Sequence, residues 1–163
     1  MKIIAHRGLI DGPDVNLENR PQQIEQTILH GFDCEIDVWR VKDKWFLGHD
    51  HADYQVNDDF ISQEGLWLHC KNLDAFLALS ECGADYNYFW HQNDDFTLTS
   101  RHYIWTYPGK ELTRNSIAVQ PEARDDWWIW VKACKNIAGV CTKYVSQFLD
   151  PDCIVPFRST KKL

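Results

Sequence analysis

FDCEIDV, residues 32–38, is the stretch from which the fold prediction starts. Apolar and acidic side chains alternate along it, and alternation with a period of two predicts a β-strand. On a strand, Glu35 and Asp37 point to one side, while Cys34, Ile36 and Val38 point to the other. The segment therefore predicts a strand with one apolar face and one face that carries two carboxylates.

The carboxylates of Glu35 and Asp37 need a compensating charge if the strand is buried. A hard divalent cation, Mg²⁺ or Ca²⁺, with Mn²⁺ as a further candidate, prefers oxygen ligands and would supply that charge. An edge strand with a solvated acidic face is the other interpretation. Spacing alone leaves both interpretations open.

Further short apolar runs predict seven more strands, and helices separate several of them. Asn19 is the predicted cap of the first helix, and Pro21 suits its opening turn. The alternation favours parallel pairing and an α/β fold. The segment between Gln92 and Tyr103 is too short for a crossover helix, so a bare loop is expected there. The seven further predicted strands are Lys2–His6, 45–47, Leu66–Cys70, 86–91, 103–107, 116–120 and Gly139–Thr142. The predicted helices are 20–30, 73–82, 125–133 and a short one at 147–149.

Length and charge restrict the classes of protein. The chain has 163 residues, which predicts one domain over residues 1–163. Its 17 basic and 24 acidic residues give a net charge of −7 without a Lys/Arg-rich run, so nucleic acid is not an expected partner. Neither a membrane span nor a secretory leader is expected. Six cysteines without a C-x-x-C pair, three of them (Cys34, Cys70 and Cys141) in apolar runs, favour free thiols in a reducing cytoplasm.

Two histidines lie at the tips of predicted strands. His6 ends the strand that starts at Lys2 and Arg7 follows it, and His49 comes after the strand 45–47 and Gly48. Arginine suits planar phosphate recognition, and two imidazoles beside a phosphate suit general acid–base cleavage. The plainer interpretation is that each histidine is a partly exposed turn residue, but two of them near an acidic pair weaken it.

Residues 1–50 contain four motifs in a fixed order, namely His6-Arg7-Gly8, Glu18-Asn19, Glu35-Ile36-Asp37-Val38 and Gly48-His49-Asp50. Their order and spacing resemble the glycerophosphodiester phosphodiesterase family, within the phospholipase-C-like phosphodiesterase superfamily, in a short and divergent bacterial-type form. Residues 66–72, LWLHCKN, more faintly resemble the family's third strand. The resemblance implies a TIM-type (β/α) barrel, here reduced and with some helices missing, whose site lies at the carboxyl ends of the strands.

The resemblance also implies metal-dependent hydrolysis of a small glycerophosphodiester-like substrate. Glu35 and Asp37 would hold the cation, and His6 and His49 would form the acid–base pair. Binding of a phosphorylated ligand without turnover is the alternative function. A homo-oligomer is a compatible assembly, because a second copy could cover a thin barrel wall.

Contacts to the substrate are implied as well. Arg7 and Lys71 would grip the phosphate, and Glu18 would order the first loop and orient its neighbours. His91, at the end of a predicted strand, is either a substrate-binding residue or a hydrogen-bonded structural one. Three aromatic residues either stack on an apolar or sugar leaving group or pack in the interior: Trp105, Tyr107 and Trp128.

The sequence departs from the family pattern at the expected third metal carboxylate, where it has His69. An imidazole in place of a carboxylate gives the site one negative charge fewer, and it suits softer metals better than Mg²⁺ or Ca²⁺. Either His69 itself, a water molecule or Glu122 is expected to complete the ligand set. The chain is also much shorter than a typical barrel of about 250 residues, which predicts thin walls and an open site.

Overall fold

The computed structural model describes residues 1–133 and 136–148, and within them the chain forms ten strands and four α-helices. None of these helices has the length and apolar character needed to cross a membrane. The strands are β1 (Lys2–His6), β2 (Asp33–Val41), β3 (Lys44–Leu47), β4 (Tyr54–Val56), β5 (Leu66–Cys70), β6 (Tyr88–Trp90), β7 (Phe96–Leu98), β8 (Ile104–Thr106), β9 (Ser116–Val119) and β10 (Gly139–Thr142). The helices are α1 (Pro21–Leu29), α2 (Asp58–Ile61), α3 (Leu73–Glu81) and α4 (Trp127–Ala133), and 3₁₀ turns cover Pro121–Ala123 and Val145–Phe148.

All ten strands belong to one mixed sheet that curls into a half-barrel. Seven of them run parallel, in the order β6-β5-β2-β1-β10-β9-β8. An antiparallel pair, β3 and β4, extends from β2, and β7 pairs antiparallel with β8. Between β6 and β7, Thr97 Oγ1 donates to the Trp90 carbonyl at 2.8 Å and the Ser100 N–H donates to the Tyr88 carbonyl at 2.8 Å. These local hydrogen bonds connect β6 to β7, which are not paired as neighbouring strands.

The prediction of a TIM-type (β/α) barrel is wrong, because the fold is dominated by its sheet and has only four short helices in the described residues. The physical reason is the length of the connections in the second half of the chain. Residues 107–115, between β8 and β9, contain no helix, and the segment expected to be a bare loop instead forms β7. A helical crossover needs about a dozen residues, and these segments cannot supply both the helix and its turns.

The eight predicted strands are present, three of them (β1, β5 and β10) with the predicted ends and five with shifted ends, whereas β4, β7 and α2 were not predicted. The start of α1 also differs from its prediction. Asn19, the predicted cap, does not cap the helix, because its side chain binds Asp37. Arg20 occupies the N-cap position and makes no side-chain cap. Of the predicted helix at 147–149, Leu149 lies outside the described residues, as does the side chain of Trp128.

Apolar clusters pack on both faces of the sheet. The face that packs against helices carries Cys34, Ile36 and Val38, so the predicted alternation of residues 32–38 is confirmed. The inner face carries an aromatic floor in which the Phe89 and Trp105 rings lie 4.7 Å apart and the Trp67 and Trp105 rings 5.9 Å apart. Side chains above this floor therefore lie inside the curl, at the carboxyl ends of the parallel strands.

Candidate active site

A pocket of about 670 Å³ opens above the aromatic floor, where the parallel strands end. It gathers side chains that are far apart in the sequence, because parallel strands bring their carboxyl ends to one edge of the sheet. Asp37 and Glu18 contact residues of this pocket but do not line it themselves. The predicted catalytic, substrate-binding and metal-ligating residues that line it are His6, Arg7, Glu35, His49, His69, Lys71 and His91, and two of the three named aromatic residues, Trp105 and Tyr107, line it as well.

Glu35, Asp37 and His69 form a tight cluster, in which one ligand atom from each lies within 4.8 Å of the others. Asp37 is completely buried and Glu35 nearly so. The His69 Nδ1 atom lies 2.9 Å from Asp37 Oδ1 and 3.7 Å from Glu35 Oε1, and the Phe89 ring stacks on its imidazole at 5.0 Å. Two carboxylates and an imidazole at this separation fit a divalent cation.

Asp37 is held from several sides. Asn19 Nδ2 donates to Asp37 Oδ2 at 2.9 Å, and the Asp37 N–H donates to Asn19 Oδ1 at 2.9 Å. Arg7 Nε lies 3.1 Å from Oδ2 and Lys71 Nζ lies 3.5 Å from Oδ1. Burial alone would raise the pKa of Asp37, but the hydrogen bond and charge of His69 and the charges of Arg7 and Lys71 hold it well below its usual range. Asp37 is therefore ionised at neutral pH.

His69 carries a proton between these two carboxylates. Burial alone would lower its pKa, but hydrogen bonds to Asp37 and Glu35 raise it to about 9. Its Nε2 lies 3.0 Å from the His91 carbonyl oxygen, so both ring nitrogens face acceptors. A divalent ion that uses His69 as a ligand must displace this proton, because only neutral imidazole binds metals.

The pKa of His6 is shifted in the opposite direction from that of His69. Burial lowers the pKa of His6 to about 4, and the charge of Arg7 adds to this effect while that of Glu35 opposes it. Its imidazole is therefore neutral at pH 7. Gln120 Nε2 lies 3.0 Å from His6 Nε2, and an amide N–H that donates there leaves the ring proton on Nδ1. Nε2 is then the ring nitrogen that can accept a proton, once the Gln120 amide turns away from it.

Gln120 was not predicted as a site residue. It follows β9 with a φ of 41°, in the left-handed region that non-glycine residues rarely adopt. Its N–H donates to the Cys141 carbonyl at 2.7 Å, which fixes the turn. The sequence signal was weak, because only its position at the end of a predicted strand distinguished it from other glutamines.

His49 lies at the mouth of the pocket, with 41% of its side chain exposed. Its Nδ1 lies 2.8 Å from Asp50 Oδ1. The preceding Gly48 has a φ of 144°, and a Cβ there would collide with the His51 carbonyl oxygen. Glycine is therefore required for the turn that brings His49 to the pocket.

Glu18 lies behind the pocket and orders Arg7. Arg7 Nη1 donates to Glu18 Oε2 at 2.7 Å, and Lys143 Nζ donates to Glu18 Oε1 at 2.6 Å. Burial alone would raise the pKa of Glu18, but the hydrogen bonds from Lys143 and Arg7 lower it. Lys143 was not predicted, because no local pattern links it to a residue near the start of the chain.

Glu122 does not complete the cluster of Glu35, Asp37 and His69 among the described residues. Its carboxylate accepts hydrogen bonds at 2.9 Å from Thr142 Oγ1 and from the Lys143 N–H. These bonds hold it at the end of β10. The alternative in which Glu122 replaces the third carboxylate is therefore not supported.

His91 and Tyr107 form the side of the pocket beyond His69. Their rings lie 5.2 Å apart, and Tyr107 is 45% exposed. Burial and the charge of His69 lower the pKa of His91. Trp105 also lines the pocket, but it is almost fully buried in the aromatic floor.

The site thus combines a cluster suited to a divalent cation, a neutral buried imidazole, a second imidazole at the mouth and two cationic side chains. Such a set can bind an anion and move protons beside it. The resemblance to a phosphodiesterase family rests on the sequence motifs alone. Compared with models of protein families, with curated proteins and with solved structures, the chain gives no significant match.

Proposed function

We propose that this protein hydrolyses a small phosphodiester of the glycerophosphodiester type with the help of a divalent cation. The observation that carries the proposal is the pocket that unites His6, Arg7, His49, His69 and Lys71 around a buried carboxylate pair. Phosphodiester cleavage uses cationic groups that stabilise charge on the phosphate and groups that transfer protons. The pocket offers cationic side chains for the first role and two imidazoles for the second.

Glu35, Asp37 and His69 are the residues that would hold the ion, with Mg²⁺ or Ca²⁺ favoured by the two carboxylates and Mn²⁺ by the imidazole. A bound divalent cation polarises a phosphoryl oxygen and stabilises the negative charge that develops on it. The proton on His69 is the competitor of this ion, so binding is expected to weaken as the pH falls.

The remaining steps belong to the side chains. Arg7 and Lys71 hold the phosphate oxygens against the cluster. His6, neutral at pH 7, takes the proton of the attacking hydroxyl or water as the new P–O bond forms. His49 gives a proton to the leaving oxygen as the old P–O bond breaks. The attacking group is either water or a neighbouring hydroxyl of the substrate, and the second route gives a cyclic phosphate first.

Binding of a phosphorylated ligand without turnover is the second candidate, and two observations favour it. Protonated His69 already supplies a positive charge between Glu35 and Asp37. In addition, the amide of Gln120 contacts the His6 nitrogen that would act as the base. In this candidate Arg7 and Lys71 keep their phosphate contacts while His6 and His49 are not needed.

We also propose a reducing, cytoplasmic setting. The cysteines Cys34, Cys70, Cys82 and Cys141 are free thiols, and three of them are buried. Buried free thiols act as small apolar residues and do not depend on an oxidising compartment. The expected substrate is a small molecule, since the chain's net charge of −7 disfavours polyanions.

The test is hydrolysis of glycerophosphodiesters and bis(p-nitrophenyl) phosphate in EDTA, Mg²⁺, Ca²⁺ or Mn²⁺. Metal-dependent turnover that is lost in His6→Ala and kept in His30→Gln supports catalysis, since His30 is exposed and outside the pocket. Phosphate binding that is lost in Arg7→Met, without turnover under any condition, supports the binding function. Absence of both turnover and phosphate binding in a folded protein rejects both candidates.

A further inference from the structure

The pocket continues beyond the ionic cluster, along a side whose chemistry differs from the rest. With a volume of about 670 Å³ it can hold much more than a phosphate group. The lining residues at the ends of β6 and β8 include no charged side chain, whereas Arg7, Glu35 and Lys71 line the pocket from β1, β2 and β5. We name this uncharged side the β6–β8 wall, and it consists of Trp90, His91, Gln92, Asn93, Tyr107 and Pro108.

The β6–β8 wall combines an exposed aromatic ring with carboxamides. Tyr107 exposes 45% of its surface, which is a large fraction for an aromatic residue that lines a cavity. Gln92 and Asn93 are exposed beside it, and each carboxamide offers both donors and an acceptor. An aromatic face flanked by groups that donate and accept suits a ligand with an apolar ring face and several hydroxyls.

His91 adds an unsatisfied group to the β6–β8 wall. Both of its ring nitrogens are covered by neighbouring atoms, and neither has a hydrogen-bond partner among the described residues. A buried polar group without a partner costs free energy. A ligand hydroxyl can both donate to and accept from an imidazole, so a turn of this ring into the pocket would remove that cost.

The charges around the β6–β8 wall exclude other headgroups. A quaternary ammonium would meet the cationic side chain of Lys71 without any carboxylate on the wall. Asp94 and Asp95 do not line the pocket, and Asp95 pairs with Lys110 at 2.8 Å. A purely apolar group would leave the two carboxamides unpaired, and a second anion would find no cation on this side.

We infer that the β6–β8 wall is a subsite for a neutral, hydroxyl-rich alcohol, a polyol or a sugar, that is esterified to the phosphate. The inference rests on the proposed function only in that the ionic cluster binds the phosphate. The sequence left open whether the leaving group is apolar or a sugar, and this subsite favours the sugar. It makes this half of the pocket a determinant of specificity.

The test is calorimetric titration of the whole protein, in Mg²⁺, with myo-inositol 1-phosphate, phosphocholine and inorganic phosphate. We expect myo-inositol 1-phosphate to bind about tenfold or more tightly than phosphocholine, because unpaired polar groups penalise the poorer match. Asn93→Leu and Tyr107→Ala should each weaken myo-inositol 1-phosphate about fivefold or more and leave inorganic phosphate unchanged. Gln55→Leu is the matched control, since Gln55 is exposed on β4 and does not line the pocket.

The outcomes separate this inference from the proposed function. Equal affinity for myo-inositol 1-phosphate and phosphocholine, with inorganic phosphate still bound, overturns the subsite and leaves the proposed function standing. Loss of inorganic phosphate binding in Asn93→Leu and Tyr107→Ala overturns it too, because these variants would then disturb the ionic cluster. A protein that binds none of the three ligands overturns both proposals.

Discussion

Lys143 Nζ lies 2.6 Å from Glu18 Oε1, and this ion pair joins two residues that are 125 positions apart in the chain. The other oxygen of Glu18 accepts a hydrogen bond from Arg7, and Arg7 in turn pairs with Asp37. All four side chains are buried for the most part. The position of Arg7 in the pocket therefore depends on a residue that follows the last strand.

Lys143→Met is expected to destabilise the protein by about 1–3 kcal/mol, because it leaves one oxygen of a mostly buried carboxylate unpaired. It should also weaken phosphate binding, since Glu18 then holds Arg7 less firmly. Urea denaturation and calorimetric titration with phosphate measure the two effects. Lys143→Arg should restore much of both. Lys110→Met, which breaks an exposed pair with Asp95, should cost less than about 1 kcal/mol, and an equal loss in the two methionine variants would contradict the prediction.

Stability should fall in acid partly through Glu18. Its pKa in the folded chain lies below the usual value of 4.5. A carboxyl group with a lowered folded pKa contributes stability above its unfolded pKa, and this contribution is lost as the pH falls through the folded pKa. The difference in free energy of unfolding between the parent chain and Glu18→Gln should therefore be constant from pH 7 to about pH 5. It should shrink below pH 4.5, and a difference that does not change with pH would rule out this contribution.

The alternation in residues 32–38 was sufficient to predict the inner face of β2. It placed Glu35 and Asp37 on one side and Cys34, Ile36 and Val38 on the other, as observed. It could do so because side-chain direction on a strand is a local property. The two ends of the sheet were not predictable in this way, since β7 is three residues long and its antiparallel pairing with β8 depends on tertiary contacts.

The difference between local sequence properties and tertiary contacts also separates the predicted site residues from the missed ones. His6 ends β1, and Arg7 and His49 come shortly after strands, so sequence position alone indicated the edge of the sheet where they lie. Lys143 and Gln120 act through partners more than 100 positions away. Such pairs depend on which strands become neighbours, and a single sequence carries no local signal for them.

His69→Glu should increase affinity for Mg²⁺ and Ca²⁺ by about tenfold or more, because it replaces a protonated imidazole with a third carboxylate at the cluster. Without metal the same variant should be less stable than the parent chain, since three carboxylates then lie together. Calorimetric titration and thermal unfolding with and without Mg²⁺ measure these effects. His69→Gln is the control that removes the charge without adding one. Unchanged affinity in His69→Glu would mean that His69 does not lie at the ion.

Gln120→Leu tests whether the amide of Gln120 positions the His6 imidazole. Leucine keeps most of the volume but removes the N–H that lies 3.0 Å from His6 Nε2. The backbone strain at Gln120 is the same for both residues, but leucine leaves the buried His6 Nε2 without this partner, so stability should fall by about 1–3 kcal/mol. If the amide orients His6 as the base, kcat should fall about tenfold with little change in KM, because a misoriented base loses part of its contribution to the transition state. A rise in kcat would show instead that the amide blocks His6 Nε2. The ¹⁵N resonances of the His6 ring should shift as the Nε2 contact is lost, and phosphate affinity should stay constant. A fall in phosphate affinity without a ring shift would show that Gln120 supports the pocket wall rather than His6.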